Sequence, residues 1–151
     1  MPYALFDRSI SHATYEQQEN GKVVFDGIVA LAKTCLAAGI PVGLGTDTGC
    51  PFITHYDMWR ELCYFVKFCG VTPAFALHSA TLLNARLAGI DHLTGSVEKG
   101  KVADLIVCEK NPLEDLTALR KLDMVIKDGW RIDHPAVKKL PQVERELDKF
   151  L

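Results

Sequence analysis

The stretch IPVGLGTDTG, residues 40–49, decides how the chain folds. Ile40 to Gly45 is a short apolar run of strand length, and Pro41 suits the first residues of a strand rather than its middle. Ahead of it, residues 26–39 set Ile28, Leu31, Ala32, Cys35 and Leu36 on one helical face, with Gly39 as a left-handed stop. Helix, short connection and buried strand make one step of an α/β repeat. The run then ends in Gly-Thr-Asp.

Two readings of Asp47 stand side by side. An aspartate after a strand commonly forms an Asx-turn or caps a following helix. In parallel α/β sheets and barrels, however, sites gather at the carboxyl ends of strands, where Asp47 would sit. Gly43 and Gly45 remove side chains there and let other groups approach closely. A carboxylate so placed can contact a metal and accept a proton from water. His55, Cys50 and Phe52 line the loop after this strand, and His55 is a candidate substrate contact. A Cys50 nucleophile lacks a positioned base, since five residues from His55 is no recognised geometry.

The neighbouring segments alternate in the same way. Residues 1–22 are polar and irregular and read as a loop. Asp57 is placed to cap a second helix carrying Trp59, Leu62, Cys63 and Val66, which Gly70 ends. Thr72-Pro73 restarts a helix with a hydroxyl cap and proline at the first position, running from Ala74 to Leu87 with a break near Ser79. After Gly89 the texture changes to short strands: Gly95–Gly100 with its turn, Val102–Cys108, and 124–132 folded at Asp128-Gly129. Pro141 to Leu151 reads as an amphipathic helix with Val143, Leu147 and Phe150 on one side. The run Gly95-Ser-Val-Glu-Lys-Gly-Lys-Val102 is not a phosphate loop: it lacks the final hydroxyl, and a strand rather than a helix follows.

The bulk properties narrow the function. The chain has 151 residues, 48% hydrophobic and 24% charged, enough for a domain with a core. A formal net charge of -2 gives nucleic acid no electrostatic attraction. No apolar stretch reaches membrane-spanning length, and the start lacks the basic-then-apolar pattern of a leader, so a cytoplasmic location is expected, with neither nucleic acid nor membrane as partner. Five cysteines without C-x-x-C spacing read as reduced thiols. The five histidines form no H-x-H or H-E-x-x-H pair, so no metal is held by local spacing.

Four pieces in this order carry a resemblance: AGIPVGLGTDTG (38–49), GVTPAFALHSATLLNARLAGI (70–90), GSVEKGKVADLIVCEKNPLEDL (95–116) and VIKDGWRID (125–133). The chain resembles the C-terminal portion of the metal-dependent amidohydrolases, in their imidazolonepropionase-like and prolidase-like branch. The resemblance implies an α/β fold: the C-terminal part of a (β/α)8 TIM-like barrel plus the C-terminal strands of a small β-sandwich. Residues 1–90 would be the last β/α units, 91–133 the share of the sandwich, and 134–151 a C-terminal helix. Residues 40–45 would be the eighth barrel strand. Asp47 would be its metal-contacting aspartate, moving a proton from water to the leaving nitrogen. Thr81 and Asn84 would be structural caps.

The implied activity is metal-dependent hydrolysis of C–N bonds in a small amide, dipeptide or cyclic amide. The implied cofactor is a divalent metal, zinc, one ion or two. The family's other ligands have no counterpart here, so Met1 is expected to fall within or after the seventh strand of a longer chain. The chain alone is expected to be inactive, to need an N-terminal amidohydrolase segment, and to associate through uncovered faces. The rival expectation is a non-catalytic fragment or interaction module, in which Asp47 only makes a turn.

Overall fold

The computed structural model describes residues 6–49 and 53–151. Its chain order is α1 (Arg8–Ser11), α2 (Tyr15–Ala37), an extended segment at 40–46, α3 (Met58–Cys69), α4 (Pro73–His78), a π turn (Ser79–Leu83) and α5 (Asn84–Leu87). Then follow β1 (Leu105–Val107), a 3-10 turn (Leu116–Arg120), β2 (Met124–Lys127), β3 (Trp130–Asp133) and α6 (Pro141–Asp148). The fold is α/β, with a three-stranded antiparallel sheet in the order β1-β2-β3.

The loop expected at 1–22 is corrected by α1 and by the early start of α2. The Thr14 hydroxyl accepts from the Gln17 amide at 3.1 Å, and the Gln17 side chain accepts from the Thr14 amide at 2.8 Å. This reciprocal capping box satisfies two orphan donors and starts the helix at Tyr15, eleven residues ahead of Asp26. Gly39, at φ +71°, ends the turn beyond α2 as expected. The segment 40–46 is extended, but no strand pairs with it among the described residues.

On α3 the expected face is only partly realised: Trp59 and Leu62 are buried, Cys63 and Val66 are half-buried against the core, and Phe65, outside the expected set, is buried instead; Gly70 closes the helix at φ +76°. Asp57 holds the N-cap position, yet its side chain makes no cap bond, which corrects the expected role. Its carboxylate accepts from Arg60 Nε at 3.1 Å and from the Thr54 hydroxyl instead. Thr72 caps α4 through the Phe75 amide with Pro73 at the first position, as read. The break near Ser79 is a π turn between α4 and α5.

Leu62, Phe65, Ala76 and Leu116 form the main core, with Leu36, Val42 and Leu44 packed on it. A second cluster joins Phe6, Val143 and Leu147, with Phe150 stacked on Phe6. Between them lies a charged joint. Fully buried Arg60 donates to Asp57, to Glu144 at 3.0 Å and to Asp148 at 2.6 Å, and its guanidinium stacks on Trp59. Arg120 donates to the same Glu144 and Asp148, each at 3.1 Å. The joint fastens α6 and the 3-10 turn to α3.

Beyond Gly89 the strands are shorter than expected. No strand forms at 95–100, which is bends and turn, and the run 102–108 contributes only Leu105–Val107. Gly95 is needed for close packing: a Cβ there would stand 2.6 Å from Ala85 Cβ. No helix follows Lys101, consistent with rejecting a phosphate loop. Asp128 and Gly129, at φ 52° and 81°, form the two-residue hairpin joining Lys127 to Trp130. Asp104 fixes that turn: it accepts from the Asp128 amide at 2.9 Å and from Lys127 at 3.1 Å, and these bonds hold its carboxyl below the usual range.

Candidate active site

Asp47 ends the extended segment, and the sequence around it explains how that end is held. Asn84, on α5, grips Leu44 like a neighbouring strand: the Leu44 amide donates to Asn84 Oδ1 at 3.0 Å, and Asn84 Nδ2 donates to the Leu44 carbonyl at 2.8 Å. A side-chain amide here replaces a peptide group of a sheet ladder. This corrects the cap expected of Asn84. Thr81 donates to the Leu77 carbonyl one turn back at 2.7 Å, a purely structural bond. Gly43 makes the grip possible, because a Cβ there would lie 2.4 Å from Asn84 Oδ1 and 2.9 Å from Leu87 Cδ1. Gly45 meets no such neighbour.

Three residues past the clamp, Asp47 adopts φ 55°, a left-handed conformation that aspartate tolerates better than most side chains. It is exposed, between Thr46 and Thr48, whose hydroxyls share a hydrogen bond of 2.6 Å. Asp47 borders a cavity of about 910 Å³ bounded by α2, the extended segment and α3. The floor is apolar, with Phe25, Ile28, Val42, Leu44, Phe65 and Phe68.

His55, the candidate substrate contact, does not border this cavity. It lies in an exposed turn with its ring edge-on to Tyr56 at 5.3 Å. Tyr56 is itself tied to the C-terminal segment, accepting from the Leu140 amide at 3.0 Å. Cys50 and Phe52 lie outside the described residues.

Sequence reasoning passed over two groups that do face the cavity, Glu61 and His12. Burial pushes the Glu61 carboxyl up from its usual range. Its signal was legible as a carboxylate four residues before Phe65 and seven before Phe68 on one helical stripe. His12 was hidden inside a segment read as loop. Tyr64, on the same wall, is also pushed upward by burial.

No group of three or more His, Cys, Asp or Glu able to hold a metal occurs among the described residues. A divalent site usually needs three protein donors, so these residues alone do not fit the expected zinc. Asp47 could supply one donor. No helix among the described residues is long and apolar enough to cross a membrane.

Residues 18–131 match the sequence model described as the Amidohydrolase family. This chain belongs to the amidohydrolase family. It is 36% identical over 76 residues to an imidazolonepropionase of Geobacillus kaustophilus, covering 50% of this chain and 18% of that protein. It is 38% identical over 88 residues to an ochratoxinase of Aspergillus niger, covering 57% of this chain and 17% of the relative. Its structure matches a Bifidobacterium longum protein provisionally assigned as a prolidase, with a TM-score of 0.92 and 42% identity, over 99% of this chain and 37% of that one. A Xaa-Pro dipeptidase solved with bound methionine matches with a TM-score of 0.69 and 34% identity, over 77% of this chain and 28% of that one. The amidohydrolase chain thus spans under a fifth of those two sequence relatives. Membership implies a TIM-barrel-type fold and the imidazolonepropionase-like and prolidase-like branch expected from the motifs.

Proposed function

We propose that this chain is the part of a C–N bond hydrolase that carries Asp47 as its proton-moving carboxylate. The substrate class is a small amide, dipeptide or cyclic amide. One observation carries the reading: within the stretch that matches the family, Asp47 stands at the end of a clamped extended segment, on the wall of a large apolar cavity. There it can take a proton from an attacking water and return it to a leaving nitrogen.

Residues up to 90 serve as the last β/α units of a TIM-like barrel, 91–133 as a share of a small β-sandwich, and 134–151 as the C-terminal helix that locks onto α3. The chain's match to 37% of the Bifidobacterium longum structure supports a site completed by another polypeptide segment of the family. Any divalent metal would take its other donors from that segment, and the chain by itself has no turnover. His55 stays a candidate contact for substrate entering past the turn at 55–56.

The test is Asp47→Asn in the completed assembly. Asparagine accepts the left-handed backbone, so folding survives, while turnover falls by about 10²–10⁴-fold. Near-normal turnover would sink the reading. A second reading, a non-catalytic interaction module, is favoured by exposed Val23, Ile28 and Leu31 on α2. Native mass spectrometry separates the two. A second polypeptide and a metal-sized mass increment support the hydrolase; a metal-free chain bound only to itself supports the module.

A further inference from the structure

The helix that carries Asn84 is interrupted immediately before it. Ser79–Leu83 form a π turn, in which an extra residue is wound into the helix. The Asn84 amide donates back to the Ser79 and Thr81 carbonyls and passes over that of Ala80. The Asn84 carboxamide leans toward that carbonyl instead, with Nδ2 at 3.5 Å. Winding in a residue moves everything after it around the helix axis, so this turn decides which way Asn84 faces. It faces the extended segment, to which the same carboxamide is bonded. π turns of this kind are frequent at functional sites.

The bonds to Leu44 act above all along the length of the segment. Oδ1 accepts from the Leu44 amide at 3.0 Å and Nδ2 donates to the Leu44 carbonyl at 2.8 Å, so both backbone polar groups of one residue are held. An extended chain that slipped by one residue would move its end by about 3.3 Å and turn its side chains to the opposite face. In a sheet, paired strands prevent such slips; no strand pairs with residues 40–46 among the described residues. Gly43 adds a second mark of register, since a Cβ there would run into Asn84 Oδ1 and Leu87 Cδ1. A slip in either direction would bring Val42 or Leu44 to the place where only glycine fits. Gly45 and Thr46 alone separate the clamped residue from Asp47.

We infer that Asn84 is a positioning residue for Asp47: through Leu44 it sets the register of the extended segment, and thereby the place of the Asp47 carboxylate on the cavity wall. Asn84 is not among the described residues that border that cavity, so its influence passes through the segment. The inference rests on reading Asp47 as the proton-moving carboxylate.

The test is a double-mutant cycle in the completed assembly, read by saturation kinetics. Asn84→Ala should lower kcat by about 10–100-fold, the scale of a misplacement of about 1 Å, and change KM by less than about twofold. In an Asp47→Asn background the same substitution should lower kcat no further, because its effect passes through Asp47. Equal losses in the two backgrounds, or an unchanged kcat with Asp47 present, overturn the inference. Asn84→Asp keeps the size and the acceptor for the Leu44 amide but removes the donor to its carbonyl. It takes the place of the alanine variant in the cycle, with the same outcomes, if that variant does not unfold cooperatively. Nuclear magnetic resonance of the 151-residue chain gives a second readout. Asn84→Ala should shift the amide signals of Thr46, Asp47 and Thr48 and leave those of α6 in place; unmoved signals at 46–48 overturn the inference. Near-normal turnover of Asp47→Asn would sink the hydrolase reading, while the chain spectra would still decide whether Asn84 places residue 47, so the two failures are distinguishable.

Discussion

α2 and α3 both carry apolar residues at helical spacing, more sharply segregated on α3, and are covered to different degrees. On α3, Leu62 is 3% exposed and Arg60 0%, sealed by α4, the 3-10 turn and α6. On α2, Ile28 is 60% exposed and Leu31 64%, and no residue of the helix is buried. The expected core face at 28, 31, 32, 35 and 36 is therefore realised in this chain only toward Leu36, which packs on the main core. Periodicity states which face seeks cover; it does not state whether the cover belongs to the same chain. The sheet repeats the lesson, with Ile106, Trp130 and Ile132 exposed. The cavity and Asp47 lie where the closed half meets the open one.

The sharpest way to break this comparison is at Arg60. Replacing it by methionine leaves Asp57, Glu144 and Asp148 facing one another with only Arg120 among them. Removing one partner of a buried ion pair costs about 3–5 kcal/mol, and urea unfolding should show a loss of that size. A loss under about 1 kcal/mol would mean that the joint is solvated like a surface pair.

Paired truncations sharpen it next. Leu62→Ala should destabilise by about 2–5 kcal/mol, whereas Leu31→Ser should stay within about 0.5 kcal/mol. The serine variant should instead reduce self-association in sedimentation velocity, since it breaks up an exposed apolar stripe. Equal losses from the two substitutions would mean that α2 is covered in solution.

A smaller effect is expected at the boundary between the halves. Asn84→Ala removes both bonds to Leu44, leaving a half-buried amide and carbonyl to find water. The expected cost is about 1–3 kcal/mol, with faster hydrogen exchange at Leu44 than at Leu62.

Some of this was legible in the sequence and some was not. Thr72-Pro73, Asp128-Gly129 and the Val143/Leu147/Phe150 stripe each act through neighbours within a few residues, so local chemistry sufficed. The Thr14 and Gln17 capping box is equally local; it went unread because the polar residues 15–22 show no apolar period. Asp57 and Asn84 are different. Each has a common local role as a cap, and each is diverted: Asp57 to Arg60, three residues on, whose burial with carboxylates from α6 no local pattern shows, and Asn84 to Leu44 forty residues away. His12 and Asp47 border one cavity although far apart in the chain, which no local spacing reveals. The family motifs pointed to Asp47 because they fall on it directly.

The smallest predicted effect concerns acid. Burial opposes ionisation of Asp148, but hydrogen bonds from Arg60 and Arg120 outweigh it and hold its carboxyl below the usual range. A carboxyl depressed in the folded state contributes stability that is present above its unfolded pKa, about 3.9, and lost as pH falls through the folded value. Because Asp148 is 37% exposed, solvent screens much of that contribution. Asp148→Asn should therefore weaken the chain slightly near neutral pH, where Arg60 keeps Asp57 and Glu144. Near about pH 3 the difference from wild type should shrink. Urea midpoints at the two pH values check this. A gap that stays constant would assign the effect to lost packing of α6 rather than to charge, and a gap that widens in acid would reverse the sign argued for the joint.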